Sequence, residues 1–222
     1  MIIKKFEETF EGSNGYLIVD DNNDAILIDA ADNNVMFEYL KTSKINLQYV
    51  ILTHEHIDHI SGLNKLKKGY TFKVIASELC NNFIQNSINN MARYFETFLY
   101  FKKNLNLYEN NKINKNLELK NYICQEADVT FRQSYNLQWN KHKFILTEIP
   151  GHSKGSVAIV LDNSILFSGD SLLLDYDVIT KFPSGSTKEY NDITLPYFQS
   201  LDKNIFVYPG HGNSFDIRKV IP

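Results

Sequence analysis

Short apolar runs, each closed by turn residues, recur along the chain. Gly15 to Val19 is followed by Asp20-Asp21-Asn22-Asn23-Asp24 and then by Ala25 to Ile28, which reads as two strands joined by a polar turn. Asn33 or Asn34 is placed to cap a helix carrying Val35, Met36, Phe37, Tyr39 and Leu40. Tyr49 to Leu52 predicts another strand, stopping at Thr53. Beyond it, Ser61-Gly62-Leu63 with Leu66 predicts a short helix, and Thr71 to Ala76 a further strand. Such strand–helix alternation is typical of a layered α/β or α+β domain.

From Ser77 to about Asn140 the pattern changes. Asn becomes dense, Gly is absent, and Phe83, Tyr94, Phe95, Phe98, Tyr100 and Phe101 gather. Ser77 with Glu78 predicts the start of a helical stretch running to about Lys103, while Asn104 to Asn121 has no decisive period. The region reads as a helical or cap insertion at about 77–140. Its aromatics either roof a pocket or form the helices' own packing face, and the ordinary tendency of aromatics to be buried favours the second. Strand-like runs return with Phe144 to Ile149, Ser156 to Leu161 and Ile165 to Phe167. Ser186 or Thr187 then caps a helix bearing Tyr190, Ile193, Leu195 and Leu201, in which Pro196 argues for a break. Ile205 to Tyr208 is a last short strand.

Composition narrows the class. A chain of 222 residues, 43% apolar and 22% charged, supports one substantial core, so a single domain over 1–222 is expected. The net charge of -3 lacks the basic excess that nucleic-acid binding demands. Cys80 and Cys124 are too few for a disulfide framework and lie far from the histidines in sequence, so both read as reduced thiols. The start, Met1-Ile2-Ile3-Lys4-Lys5-Phe6-Glu7-Glu8, lacks a signal-peptide core, and no run approaches the length of a membrane span. The expectation is a cytoplasmic protein acting on a small-molecule substrate, with no nucleic-acid or membrane partner; nothing in the sequence speaks to oligomeric state.

The chemistry concentrates in Thr53-His54-Glu55-His56-Ile57-Asp58-His59, which places three of the six histidines within six consecutive positions directly after a strand. Neutral imidazole and ionised carboxylate are the usual ligands for zinc and metals of similar hardness, and in extended backbone His54 and His56 project to one side. His152, Asp170 and His211 follow later strands in the same way, each next to a glycine: Pro150-Gly151-His152-Ser153, Ser168-Gly169-Asp170-Ser171 and Pro209-Gly210-His211-Gly212. Glycine permits the sharp turns and close approaches that a crowded donor cluster requires. His142, between Lys141 and Lys143, reads as a plain surface residue; Glu55, between two ligands, is either a general base or, as its position favours, a residue pointing away toward solvent or a partner.

The ordered set Thr-His-Glu-His-Ile-Asp-His, Gly-His-Ser, Ser-Gly-Asp and Gly-His-Gly resembles the metallo-β-lactamase superfamily, and most closely its glyoxalase II-like hydrolases. The resemblance implies an α+β fold, the αββα sandwich: two mixed β-sheets face to face, helices on the outside and a metal site at one edge. It implies two divalent metal ions, zinc first, with iron or manganese as alternatives. One would be held by His54, His56 and His152, the other by Asp58, His59 and His211, with Asp170 between them. A bridging carboxylate offsets the repulsion of two cations, and three histidines leave an open position for water. The expected activity is hydrolysis by a bridging hydroxide of a small-molecule ester, thioester or lactone, with a phosphodiester also within reach; Asp58 would both bind metal and orient the nucleophile. Thr53, Ser153, Ser156 and Ser168 are candidate outer donors to the ligands.

Departures from neighbouring families sharpen this. A bridging aspartate argues against an antibiotic-destroying role. Glyoxalase II carries a helical extension that binds glutathione where this sequence reads Val220-Ile221-Pro222, so specificity for a glutathione thioester is not expected. The alternatives are an oxidoreductase like the persulfide dioxygenases, with one iron on two histidines and an aspartate, and a non-catalytic binding domain of the same fold.

Overall fold

A computed structural model describes residues 1–8, 11–97, 119 and 121–221. Twelve strands form two six-stranded sheets. The first runs β1 (Ile2–Glu7), β2 (Asn14–Val19), β3 (Asp24–Ile28), β4 (Asn46–Ile51), β5 (Lys73–Ser77) and β6 (Val129–Phe131), in that spatial order. Its first three strands pair antiparallel and the rest parallel. The second holds β7 (Ser134–Trp139), β8 (His142–Glu148), β9 (Val157–Leu161), β10 (Ile165–Gly169), β11 (Phe206–Pro209) and β12 (Phe215–Asp216) in sequence order across the sheet. All its pairs are antiparallel except the parallel pair β10–β11. Both sheets are therefore mixed, as the sequence led us to expect.

Alternation along each strand divides the apolar residues among three interfaces. In β2, Tyr16 and Ile18 face the second sheet and pack with Phe144, Leu146, Ile159 and Phe167. Leu17 and Val19 turn the other way, into a cluster with Met36 and Leu40 of helix Asn34–Thr42 and Leu63 and Leu66 of helix Leu63–Gly69. On the far side, Ala158, Val160, Leu166 and Val207 meet Phe198 of helix Leu195–Ser200. The layers are helix, sheet, sheet, helix.

Local chemistry explains where helices start and stop. Asn33 accepts the Met36 amide at 2.9 Å, and Ser77 that of Cys80 at 3.1 Å. The helix that Ser77 opens spans only Glu78–Ile84 and does not continue toward Lys103. Asparagine is the reason: the side chain of Asn86 accepts the Ile88 amide, that of Asn90 accepts the Ala92 amide, and Met91, directly after Asn90, has φ +68°. Side chains that bond the nearby backbone compete with the helix ladder. The backbone is helical again over 92–97. Phe98, Tyr100, Phe101, Lys103 and most of 104–121 lie outside the described residues. Within the span of the expected insertion, β6 and β7 each complete a sheet.

At the other end, Ser186 caps Thr187–Glu189, and the chain runs through a wide π turn, Tyr190–Thr194, into Leu195–Ser200. Pro196 sits in the first turn of that last helix, where its missing amide leaves no intrahelical bond unmade. The backbone stays helical from Thr187 to Ser200, so in place of the expected break there is a widened turn just before Pro196. Among the described residues no helix is long and apolar enough to cross a membrane.

Candidate metal centre

Four strand ends converge at one edge of the sandwich. After β4 the chain bends at Thr53 and runs through an extended His56 into the short helix Ile57–Ile60, which carries Asp58 and His59. The turn after β8 supplies His152, the end of β10 supplies Asp170, and the end of β11 supplies His211. The start of β2 pins the last of these loops to the first sheet. Asn14 donates its backbone amide to Gly210 and its side chain to Pro209, and Tyr16 donates its hydroxyl to Pro209 at 2.7 Å.

The seven side chains singled out in the sequence are thereby brought together. Donor atoms of His54, His56 and His152 lie within 4.8 Å of one another, as do those of Asp58, His59 and His211. Asp170 touches both groups. Its Oδ2 stands 3.6 Å from His152 Nε2, 3.9 Å from His54 Nε2 and 3.4 Å from His211 Nε2, and its Oδ1 stands 3.3 Å from His59 Nε2. Asp58 Oδ2 lies 3.4 Å from His59 Nε2 and 3.2 Å from His211 Nε2.

Outer hydrogen bonds fix which nitrogen of each ring faces inward. Thr53 donates its hydroxyl to Asp29 at 2.7 Å, so its oxygen accepts the Nδ1–H of His54 at 3.0 Å. His59 Nδ1 donates to Asp29 at 2.9 Å, and His152 Nδ1 to the Ile179 carbonyl at 2.8 Å. Each ring is left with its Nε2 lone pair turned toward the centre. His56 presents Nδ1, 3.0 Å from His152 Nε2.

This donor set fits divalent cations on an observation of its own. His54 Nε2, His59 Nε2 and Asp170 Oδ1 are buried with no hydrogen-bond partner, as is His56 Nε2. Buried polar atoms without partners are costly, and lone pairs aimed at one shared spot are what a cation satisfies. The electrostatics agree. Burial, then His59 and His56, hold His54 well below the usual imidazole range; burial, then His152, lowers His56 to about 3; and burial lowers His152. All three are held neutral, the form that binds metal. On the other side burial opposes charge, but Asp58, Asp170 and Asp29 outweigh it at His59, and Asp170 with Asp58 raises His211 to about 10. Asp58 and Asp170 lie below the ordinary carboxylate range although burial pushes them up, because His59 and His211 pull them down. This half attracts positive charge.

Asp29 is the residue that sequence reasoning missed. It is 1% exposed at the end of β3, in left-handed backbone at φ +57°, and it accepts from the Thr53 amide, the Thr53 hydroxyl and His59. The only signal was an acid closing the apolar run Ile26-Leu27-Ile28. Two expectations need correction. His142 is 8% exposed, because it stacks near Trp139 and bonds Asp162 at 2.6 Å. Glu55 is fully buried, and burial pushes its carboxyl up to about 7. Of the candidate outer donors, Thr53 serves His54 and Asp29, Ser153 and Ser156 bond each other at 2.9 Å, and Ser168 donates to backbone carbonyls.

A cleft of about 550 Å³ opens over the centre. His56, Asp58, His152, Asp170 and His211 form its floor, with Phe95, Leu173, Tyr176, Ile179 and Phe182 and the carboxylates of Glu7, Glu11 and Asp177 around them. Phe95 also packs against the helix-side core cluster, so this aromatic of the expected insertion does both jobs, whereas Tyr94 is 48% exposed. Phe98 and Phe101 are outside the described residues.

Four strand ends delivering histidine and aspartate to one edge of an αββα sandwich define a metallohydrolase-type architecture. The model of the metallo-beta-lactamase superfamily matches residues 9–211, and the chain belongs to that family, whose members are mostly metal-binding hydrolases. It is 26% identical over 98% of its length to a Streptococcus pyogenes serotype M6 protein named "Probable metallo-hydrolase", covering 86% of that protein. It is 22% identical over 89% of its length to the Haemophilus influenzae hydroxyacylglutathione hydrolase GloC, covering 84% of it. Among solved structures it is similar to the BLEG-1 B3 metallo-beta-lactamase, with TM-score 0.77, 20% identity, and 98% of this chain and 95% of that one covered.

Proposed function

We propose that the protein is a binuclear metal-dependent hydrolase of a small-molecule ester, thioester or lactone. His54, His56 and His152 would hold one ion and Asp58, His59 and His211 the other, with Asp170 shared. The observation that carries this reading is the position of Asp170, whose carboxylate reaches His54 and His152 of the first group and His59 and His211 of the second. Bound there, divalent cations, zinc first, supply Lewis acidity and acidify a water toward neutrality.

The chain's own residues do the rest. The neutral rings of His54, His56 and His152 stay available as ligands because burial disfavours their protonation. Asp58, its carboxylate at the floor of the cleft, is assigned a second task, orienting the attacking water. Phe182, edge-on to His56 and His152 with ring centroids 5.8 and 6.3 Å away, shields the site from bulk water and offers an apolar wall to the acyl group. The hydroxyacylglutathione hydrolase activity named for the Haemophilus relative supports the thioester arm of this proposal.

His54, His152 and Asp170 by themselves also make a two-histidine, one-carboxylate set of the kind that holds a single iron. One experiment separates the two readings. The purified protein is assayed for metal content and then run with zinc, manganese or iron against thioester, lactone, phosphodiester and phosphonate substrates, and for oxygen uptake on a persulfide. Two metals per chain, hydrolysis of an acyl substrate, loss of activity on chelation and loss of both metal and turnover in Asp170→Ala are expected. One iron with oxygen uptake overturns the hydrolase reading, and an Asp170→Ala protein that keeps two metals and full turnover sinks the shared-ligand assignment.

A further inference from the structure

Glu55 lies between two of the proposed ligands yet takes no part in the donor set. Its side chain turns away from the donor set, toward Ser153 and Ser184. It runs into the interior, where both carboxylate oxygens find donors. Ser153 donates its hydroxyl to Oε2 at 2.9 Å and Ser184 donates to Oε1 at 3.1 Å. The Gly155 amide bonds the same carboxyl. Residue 155 must lack a side chain for this to happen, since a Cβ there would overlap Glu55 Oε2 and stand 2.7 Å from the Cα of Cys80. Ser156 extends the array, its hydroxyl lying 2.9 Å from that of Ser153 and accepting the Ser153 amide at 3.1 Å.

Each partner belongs to a segment that shapes the centre. Ser153 follows His152 directly. Ser184 closes the loop in which the Ile179 carbonyl holds His152 Nδ1 and Phe182 packs on His56 and His152. One buried carboxylate thus ties the His54–His56 segment, the His152 turn and the 179–184 wall of the cleft to each other.

We infer that Glu55 is a positioning residue, which sets the mutual alignment of His54, His56 and His152 by fastening the three segments that carry or support them. The inference rests on the metal-binding reading above. Glu55→Ala leaves the buried Ser153 hydroxyl, the half-buried Ser184 hydroxyl and the Gly155 amide without their acceptor, so the segments are free to drift apart. Glu55→Gln keeps the shape and one acceptor oxygen, and its amide nitrogen can donate to a serine that turns its lone pair inward.

The test is titration of metal-freed protein with cobalt(II) against a competing chelator, reading affinity, stoichiometry and the visible absorption of the bound ion, with thermal unfolding in parallel. Loss of an outer hydrogen-bonding partner typically weakens metal binding about 10–100-fold. Glu55→Ala is expected to show that loss together with an altered cobalt spectrum, and Glu55→Gln to recover most of both. Wild-type affinity and spectrum in Glu55→Ala, with only the melting temperature lowered, would reduce the residue to a packing role and overturn the inference. Should Glu55→Ala not fold, Ser153→Ala and Ser184→Ala each remove one bond, and unchanged cobalt binding in both overturns it as well. If the wild-type chain takes up no cobalt, the metal reading itself falls, a result distinct from the others.

Discussion

Asp29 stands 25 positions before His54 in the chain, and its carboxylate nonetheless decides which nitrogen of His59 faces the centre. Oδ2 accepts from both His59 Nδ1 and the Thr53 hydroxyl, and Oδ1 accepts from the Thr53 amide, so the group works entirely as an acceptor. Asparagine tolerates the left-handed backbone at this position but turns one of the two oxygens into a donor. If the new amide faces His59, the ring must move its proton to Nε2 and cover the lone pair a cation needs. Asp29→Asn is expected to weaken metal binding about 10–100-fold and to cost roughly 1–3 kcal/mol of stability from mismatched buried donors. Metal competition titration and urea unfolding measure the two effects, and unchanged metal affinity would show that the His59 tautomer does not depend on Asp29. Neither Asp29 nor Glu55 was legible beforehand for a shared reason. An isolated acid acquires its role only from groups that folding brings to it, whereas clustered histidines carry their meaning in their spacing.

At the scale of elements, the centre exists because β4, β8, β10 and β11 all point the same way out of the sandwich. Close approach between two of these ends depends on Gly210. A Cβ there would collide with Asp170 Oδ1 and come within 2.8 Å of the Gly169 carbonyl carbon and 3.0 Å of His59 Cε1. Gly210→Ala should therefore displace Asp170, with a stability loss of roughly 1–3 kcal/mol for the overpacking and a matching fall in metal content. Gly69→Ala is the control, since no atom lies within 4 Å of its added Cβ, and metal analysis of both proteins reads the difference. Equal metal content in the two would mean that β10 and β11 have slack the structure does not suggest. The strand ends were readable in the sequence because apolar runs such as Tyr49 to Leu52 stop abruptly at polar residues. The helix after Ser77 was overextended because apolar spacing was weighed without the competing side-chain bonds of Asn86 and Asn90.

The whole molecule is two sheets that bury both of their faces, and this is why β2 and β3 read as nearly continuous apolar runs. The layering leaves several ionisable groups deep among apolar side chains. Burial raises the thiol of Cys80 and lifts that of Cys124 to about 12, and it also raises the phenols of Tyr16 and Tyr122. Tyr16 in addition joins β2 to the end of β11 through its bond to Pro209, so its neutral form helps hold the two sheets together beside the centre. In the unfolded chain a cysteine thiol loses its proton near 9.0. Between that pH and about 12, the unfolded state binds fewer protons than the folded state, so stability falls as pH rises. Below about 9 the contribution is fully present. Cys124 alone should cost about 1 kcal/mol on going to pH 10, with Cys80 and the two tyrosines adding in the same direction. The urea midpoint is expected to drop between pH 8 and pH 10, and the native protein to resist thiol alkylation at pH 8 until it is unfolded. A midpoint independent of pH over that range, or rapid labelling of both cysteines in the native state, would show that these layers open far more readily than their packing implies.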